Sequence, residues 1–233
     1  MRPGAVLLDL DGTLVDTPST MRDVVVQTLE ELVGVLPAAV RVAIADRWIA
    51  DPARHFHRYE TGEISFVDQR RERFAEVAAI AGASADELPY AEWESAYEKR
   101  LGAAVRPYDD VMAFLDGLHS VPMAVVTNVR SEFQRTKLAS AGLAARLPVV
   151  VGVDLAGAPK PDAAPFLLAC AMLGVDASAA VHIGDSLVAD VEGALAAGLS
   201  AIWLDPIGVG RGRRLPPGAS RVVSLTEATA LIA

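Results

Sequence analysis

The sequence predicts an α/β fold built on a Rossmann-like parallel sheet with helices on both faces. Short apolar runs of four to six residues recur along the chain, and most are bounded by Gly, Pro, Asp or Thr, as buried strands tend to be. Segments with helical spacing of apolar residues separate the later runs, so strands and helices alternate. Near-continuous apolar strands in such an alternation indicate a parallel sheet that is covered on both faces.

The predicted elements of this sheet follow in chain order. The strands are residues 5–8, 121–126, 148–153, 179–183, 200–204 and 221–225. The helices between the later strands are residues 131–141, 162–173 and 186–197, and the last two are each followed by a glycine that ends them.

One long stretch interrupts the alternation directly after the first strand. Between residues 16 and 101 we find no convincing strand, only four helical patterns. The first pattern has Ser19 or Thr20 as its predicted N-cap, and the second begins at Pro37. The third has Ser65 as its predicted cap with Asp68 three residues later, the spacing of a capping box, and the fourth follows Pro89. We therefore predict an α/β core domain formed by residues 1–15 and 102–233, with an all-helical domain inserted at residues 16–101.

Composition and charge exclude several classes of protein. The chain of 233 residues is 52% hydrophobic and 22% charged, which excludes a disordered chain. Its 21 Lys and Arg against 30 Asp and Glu give a net charge of −9, so we expect no nucleic-acid partner, which would need a basic face. The apolar runs are too short to span a bilayer, and Asp9 leaves no room for the apolar core of a signal peptide. We expect a cytoplasmic protein with no membrane partner.

Acidic and polar residues follow the predicted strands. Asp9 and Asp11 leave the first strand on the same side, next to Gly12, which allows the backbone to turn sharply. The carboxyl ends of parallel strands meet at one edge of a sheet, where ligands bind, so polar residues from the later elements should join them there. Those residues are Thr127, Asn128, Lys160, Asp185 and Asp190.

The chemistry of this set indicates a magnesium site beside an anion. Carboxylates brought together repel one another unless a cation joins them. The sequence has no cluster of His and Cys, so oxygen ligands and a hard cation, Mg²⁺, are indicated. The Lys160 ammonium and the Thr127 hydroxyl then suit an anionic group such as phosphate.

Four motifs occur in order along the chain. They are Asp-Leu-Asp-Gly-Thr at 9–13, Thr127-Asn128, Lys160-Pro161, and Gly-Asp-Ser-Leu-Val-Ala-Asp at 184–190. This ordered set resembles the haloacid dehalogenase-like hydrolase superfamily, and the resemblance covers nearly the whole chain. The helical insertion resembles the C1-type cap of its phosphoglycolate phosphatase-like members. The resemblance implies a Mg²⁺-dependent phosphatase that hydrolyses a small phosphorylated metabolite through an aspartyl-phosphate intermediate.

The resemblance also implies a role for each matched residue. Asp9 would be the nucleophile and Asp11 the general acid and base. The groups that hold the phosphoryl group would be Thr127, the Asn128 backbone and Lys160. The implied metal ligands are Asp9, the Asp11 carbonyl and Asp185, with Asp190 acting through a water molecule or by supporting a ligand.

Three other activities are compatible with parts of this pattern. A phosphomutase of the β-phosphoglucomutase type would keep the same core and use the inserted domain to hold a sugar phosphate. A haloalkanoate dehalogenase also uses an aspartate nucleophile, but it has no alkoxide to protonate, so Asp11 favours a phosphate ester. A non-catalytic sensor of a phosphorylated metabolite would need no nucleophile at Asp9.

Two further features lie outside the motifs. Arg54, His55, His57 and Arg58 form a basic cluster that either faces a substrate or belongs to a solvated helix end or loop. His182 lies inside an apolar strand and is predicted to be a core residue with its polar atoms satisfied, rather than a catalytic base.

Overall fold

The computed structural model describes residues 3–232, which divide into two compact units. The core unit comprises the described residues up to Asp16 and from Arg106 onward, and the helical unit comprises Thr17–Val105. The helical unit thus begins one residue after the start of the predicted insertion and ends four residues beyond its predicted end, because its last helix continues to Ala104.

A six-stranded parallel sheet forms the centre of the core unit, as predicted. Within residues 3–232, its order is β3-β2-β1-β4-β5-β6, and every neighbouring pair is parallel. The strands are β1 (Ala5–Leu8), β2 (Met123–Val126), β3 (Val149–Val151), β4 (Ala180–Gly184), β5 (Ser200–Leu204) and β6 (Ala219–Val222). All four residues of β1 are buried, as expected for a central strand that is covered on both faces.

Helical segments of the core unit alternate with these strands. They are Val111–Gly117, Ser131–Ser140, Val153–Ala156, Ala164–Leu173, Gly193–Ala196 and Leu225–Ile232, with a 3-10 turn at Ala177–Ala179 and a π-helix at Leu187–Glu192. Phe166 and Cys170 of one helix pack on the face of the sheet that carries Leu7, which positions the loop before that helix at the carboxyl end of the strands.

Three predicted elements of the core unit differ from the structure by more than small shifts of their ends. The last strand covers residues 219–222 instead of 221–225. It is an edge strand that includes exposed polar residues such as Ser220, so a search for apolar runs does not find its start. The predicted strand at 148–153 keeps only Val149–Val151 before a short helix begins. The predicted helix at 186–197 is capped by the Ser186 side chain, but it starts as a π-helix before the α-helical turn Gly193–Ala196.

The helical unit consists of Thr17–Val33, Ala38–Ala50, His55–Glu60, Phe66–Ile80 and Tyr90–Ala104, with a 3-10 turn at Ala85–Glu87. Its core is aromatic: Trp48, Trp93 and Tyr97 are buried, and the Trp48 indole donates a 2.8 Å hydrogen bond to the Tyr97 hydroxyl. The predicted capping box at Ser65 and Asp68 is confirmed.

The predicted start of the first helix needs correction. The first helix begins at Thr17, so neither Ser19 nor Thr20 is its N-cap.

Two members of the basic cluster are paired with carboxylates of their own unit. His55 lies 2.6 Å from Glu72 and 3.0 Å from Glu76, and Arg58 lies 2.7 Å from Glu63. These contacts favour a structural role for that pair.

Among the helices of the described residues, none combines the length and apolar character needed to cross a bilayer.

Candidate active site

The predicted site residues of the core unit lie at the carboxyl edge of its sheet. Asp9 follows β1, Thr127 follows β2, and Asp185 follows β4, and β1 lies between the other two strands. The ladder continues one residue beyond β1, since the Asp9 amide donates a 2.9 Å hydrogen bond to the Ile183 carbonyl. The parallel register therefore brings together side chains that are far apart in the sequence.

Lys160 places a buried positive charge next to Asp9 at this edge. Its ammonium donates hydrogen bonds to Asp9 Oδ1 at 2.8 Å, to Asp190 Oδ1 at 2.7 Å and to the Val126 carbonyl at 2.8 Å. A lysine ammonium has three donors, so all three are used. Burial by itself lowers a lysine pKa, but the charges of Asp190 and Asp9 outweigh it and raise the pKa of Lys160. Lys160 is therefore a fixed positive charge.

Asn128 holds the backbone of Lys160 in place. The Asn128 side-chain oxygen accepts a 2.7 Å hydrogen bond from the Lys160 amide, and the Asn128 side-chain nitrogen donates a 3.0 Å bond to the Lys160 carbonyl. This reciprocal pair ties the loop that carries Lys160 to the end of β2. Both residues are buried, so the ammonium is positioned by an internal network and not by solvent.

Both carboxylate oxygens of Asp190 have partners inside the protein. Oδ1 accepts hydrogen bonds from Lys160 and, at 2.9 Å, from His182 Nε2, and Oδ2 accepts from the Ser186 amide at 2.9 Å. Burial raises a carboxyl pKa, but Lys160 and His182 outweigh it and lower the pKa of Asp190. Asp190 is therefore a stable anion that pairs with Lys160.

His182 is a buried core residue, as predicted, with one difference. Its Nε2 bonds to Asp190, whereas Nδ1 has no hydrogen-bond partner within the described part of the chain. Burial is the main cause that lowers the pKa of His182, so the imidazole is neutral. A neutral imidazole that donates through Nε2 supports the Asp190 carboxylate without adding a charge.

Asp9, Asp185 and Asp190 form the one acidic group of residues 3–232 in which the carboxylate oxygens could share a metal ion. The three oxygens all lie within 4.8 Å of one another. Burial, and then the charges of Asp190 and Asp11, raise the pKa of Asp9 to about 7 despite the opposing effect of Lys160. Asp185 as a whole residue is exposed, but protein atoms pack around its carboxyl group. This burial of the carboxyl, followed by the charge of Asp9, raises the pKa of Asp185 to about 8.

These raised pKa values indicate that too little positive charge lies near the three carboxylates to balance them when all are ionised. Lys160 compensates Asp190 and part of the charge on Asp9, which leaves Asp185 without an ion-pair partner among the described residues. A divalent cation bound by oxygen ligands would supply the missing charge, so the residues fit Mg²⁺. Asp9 and Asp185 would hold it, and Asp190, whose oxygens are already engaged, would support the Lys160 side of the site.

Two glycines leave space for these carboxylates. A Cβ atom at Gly12, where φ is +87°, would lie 2.5 Å from Asp185 Oδ2. A Cβ atom at Gly184 would lie 2.2 Å from Asp190 Cγ. Both contacts are too short for any side chain, so the glycines of the first and fourth motifs are needed for close approach.

The Asp11 side chain belongs to a different part of the site. It is outside the group of three carboxylates and bonds instead to the helix Ser131–Ser140. Lys137 donates to Asp11 Oδ1 at 2.6 Å, and Gln134 donates to Asp11 Oδ2 at 2.6 Å. The same Gln134 nitrogen donates to the Thr127 hydroxyl at 2.7 Å. The predicted acid and base thus connects to the predicted phosphate-binding threonine.

Gln134 and Lys137 were not predicted from the sequence as site residues. Both are buried, and they lie three residues apart on a helix whose buried face also includes Ser131 and Leu138. The signal was the presence of two long polar side chains on the face of a helix that packs on the sheet. Burial of an amide and an ammonium costs free energy unless each has a partner, so such a pattern indicates a polar site.

The chain is similar in sequence and in fold to known proteins. The family model described as haloacid dehalogenase-like hydrolase matches residues 3–198. An N-acetylmuramic acid 6-phosphate phosphatase of Pseudomonas aeruginosa is 31% identical over 85% of this chain and 80% of its own. A phosphoglycolate phosphatase of Rhodospirillum rubrum is 32% identical over 86% of this chain and 78% of its own. A crystal structure of the HAD-hydrolase YfnB from Bacillus subtilis, bound to magnesium, superposes on this chain with a TM-score of 0.81 and covers 100% of this chain and 99% of its own. The two sequences are 21% identical, so this comparison shows a likeness of fold.

Proposed function

The chain belongs to the haloacid dehalogenase-like hydrolase family, and from this premise we propose that it is a Mg²⁺-dependent phosphatase that hydrolyses a small phosphorylated metabolite through an aspartyl phosphate on Asp9. The observation that carries the proposal is the contact of Lys160 with both Asp9 and Asp190 beside the exposed carboxylate of Asp185. The relatives named as phosphatases of small phosphorylated compounds support the substrate class.

The proposed reaction has two steps at phosphorus. In the first, an Asp9 carboxylate oxygen attacks phosphorus, the bond from phosphorus to the ester oxygen breaks, and Asp11 gives its proton to the leaving alkoxide. In the second, water attacks the aspartyl phosphate, Asp11 takes a proton from that water, and the bond between phosphorus and Asp9 breaks to release phosphate. The alcohol and inorganic phosphate are the products, and both aspartates return to their starting forms.

The residues around Asp9 are proposed to stabilise the phosphoryl group during both steps. Lys160 lies against the Asp9 oxygen, so it offsets the repulsion between the nucleophile and an anionic ester. Thr127 and the Asn128 backbone donate hydrogen bonds to the phosphoryl oxygens. When bound by Asp9, the Asp11 carbonyl and Asp185, Mg²⁺ would supply positive charge that favours both the ionised nucleophile and the bound phosphate. We further propose that the helical unit acts as a cap that selects the leaving group.

A panel of phosphate esters tests this function directly. Phosphate release is measured from small phosphorylated metabolites and from p-nitrophenyl phosphate, with Mg²⁺ and with excess EDTA. We expect release with Mg²⁺ and none with EDTA, because Asp9 and Asp185 require a cation. Undiminished release in EDTA would contradict the metal proposal. Conversion of a sugar phosphate to its isomer, with no release, would indicate a phosphomutase, and binding without turnover would indicate a sensor.

Mg²⁺ binding is expected to strengthen as pH rises. Because the pKa values of Asp9 and Asp185 are about 7 and about 8 without metal, these carboxyls are protonated at lower pH and must lose protons when Mg²⁺ binds. Carboxyls whose pKa is raised by folding contribute stability that is fully present below their ordinary pKa of 3.8, and this contribution is lost as pH rises from there to the folded values of about 7 and about 8. Mg²⁺ should therefore raise the unfolding temperature more at high than at low pH across this interval. An equal increase throughout would contradict this assignment.

Replacement of the proposed acid should affect esters unequally. Asp11→Asn is expected to lower kcat/KM for alkyl phosphates by about 10²–10⁴-fold, the range typical of a lost general acid. It should have far less effect on kcat/KM for p-nitrophenyl phosphate, whose leaving group departs without a proton. Equal losses for both classes of ester would remove Asp11 from the role of acid.

A further inference from the structure

Two buried polar side chains of the helix Ser131–Ser140 donate hydrogen bonds to Asp11. Lys137 is only 2% exposed and its ammonium lies 2.6 Å from Asp11 Oδ1. Gln134 is fully buried and its nitrogen lies 2.6 Å from Asp11 Oδ2. Each carboxylate oxygen of Asp11 thus has its own donor. Two donors on two oxygens fix both the position and the rotation of a carboxylate.

Gln134 also determines what the Thr127 hydroxyl can do. A hydroxyl has one donor and two acceptor lone pairs. The Thr127 oxygen accepts from Gln134 at 2.7 Å and from the Val129 amide at 3.3 Å. With both lone pairs engaged, the hydroxyl offers its hydrogen to a ligand, which suits an anionic oxygen. The Gln134 side-chain nitrogen carries two hydrogens, so it can donate to the Asp11 oxygen and to the Thr127 oxygen at the same time.

We propose that Lys137 and Gln134 are positioning residues of the reaction. Both hold the Asp11 carboxyl group in place, and Gln134 also orients the Thr127 hydroxyl so that it donates its hydrogen to the phosphoryl group. This inference rests on the proposed function. Lys137 acts through Asp11 alone, whereas Gln134 acts through both Asp11 and Thr127. A displacement of a catalytic group by about 1 Å can cost about 10²-fold in rate, so these supports matter even without touching substrate.

A purely structural ion pair would give a different result. If Lys137 only tied the helix to the sheet, its loss would lower activity through instability and would affect every substrate equally. If it positions Asp11, its loss should matter only where proton transfer to the leaving group matters. The two roles are therefore separated by comparing esters, and not by the size of the activity loss.

The experiment compares the variants Lys137→Met and Gln134→Met with the wild-type protein. For each protein, kcat/KM is measured with p-nitrophenyl phosphate and with an alkyl phosphate that the wild-type protein hydrolyses. For Lys137→Met we expect a loss of about 10²-fold with the alkyl ester and less than about threefold with the aryl ester, with KM unchanged. For Gln134→Met we expect the same split and a raised KM for both esters. Arg135→Met is the matched control, since Arg135 is an exposed cation on the same helix.

A double-mutant cycle completes the test. Because Lys137 acts through Asp11, Lys137→Met should cost nothing further in an Asp11→Asn background. Additive losses, or equal losses for the two esters in single variants of undiminished unfolding temperature, would overturn the proposal. If Lys137→Met does not fold, the same comparison of alkyl and aryl esters is made with Gln134→Met, which removes the donor to the other oxygen of Asp11. Absence of phosphate release from wild-type protein would instead refute the proposed function, and with it this inference.

Discussion

Asp9→Asn is expected to abolish phosphate release while leaving the protein folded. An amide does not attack phosphorus, so the loss should reach at least about 10⁴-fold, as for removal of a nucleophile in other hydrolases. The fold should persist because Lys160 keeps its hydrogen bonds to Asp190 and to the Val126 carbonyl. Phosphate release and the unfolding temperature measure the two halves of this expectation.

A matched variant and a trapping experiment sharpen this prediction. Asp176→Asn makes the same chemical change at an exposed residue just before β4, at the opposite end of that strand, and should retain full activity. Acid quenching during turnover should trap a phosphorylated protein in the wild type and none in Asp9→Asn. Activity near the wild-type level in Asp9→Asn would exclude Asp9 as the nucleophile, and a trapped phosphate on another residue would identify the group that replaces it.

The sheet and the polar residues at its carboxyl edge were predictable because local patterns encode both. Apolar runs such as residues 5–8 are buried on both sides in a parallel sheet, and they end where the backbone must carry polar groups. Once the strands are parallel, their ends share one edge, so the approach of Asp9 to Lys160 follows from topology. The family resemblance was confirmed by the match over residues 3–198.

Local patterns contain two long polar side chains on one helix face, but they do not identify Asp11 as the group that these side chains meet. Helical periodicity shows that Gln134 and Lys137 share a face, but it does not show whether that face meets apolar side chains or a carboxylate from a distant strand. In the π-helix after Ser186, Asp190 likewise bonds to Lys160 and His182, which lie outside that turn. Propensity scales do not contain such tertiary hydrogen bonds.

Lys160→Met is expected to destabilise the protein as well as inactivate it. The substitution keeps most of the side-chain volume but removes the cation that Asp9 and Asp190 share, which leaves two buried carboxylates without it. Loss of one partner of a buried ion pair typically costs about 3–5 kcal/mol in the free energy of unfolding. Phosphate release should fall below detection, because the charge that offsets the anionic ester is lost. Urea unfolding and phosphate release measure the two effects.

The pH dependence of this destabilisation distinguishes a lost charge from poor packing. In the wild type, Lys160 lowers the pKa of Asp190, so that carboxylate stabilises the fold above its unfolded pKa and loses this contribution as pH falls. In Lys160→Met the buried carboxyls have raised pKa values, so the variant gains stability as pH falls and they become neutral. The difference in unfolding free energy between the two proteins should therefore shrink at acid pH. Lys99→Met, at an exposed lysine, should show no such difference. A gap that is constant with pH would mean that packing, and not the buried charge, accounts for the role of Lys160.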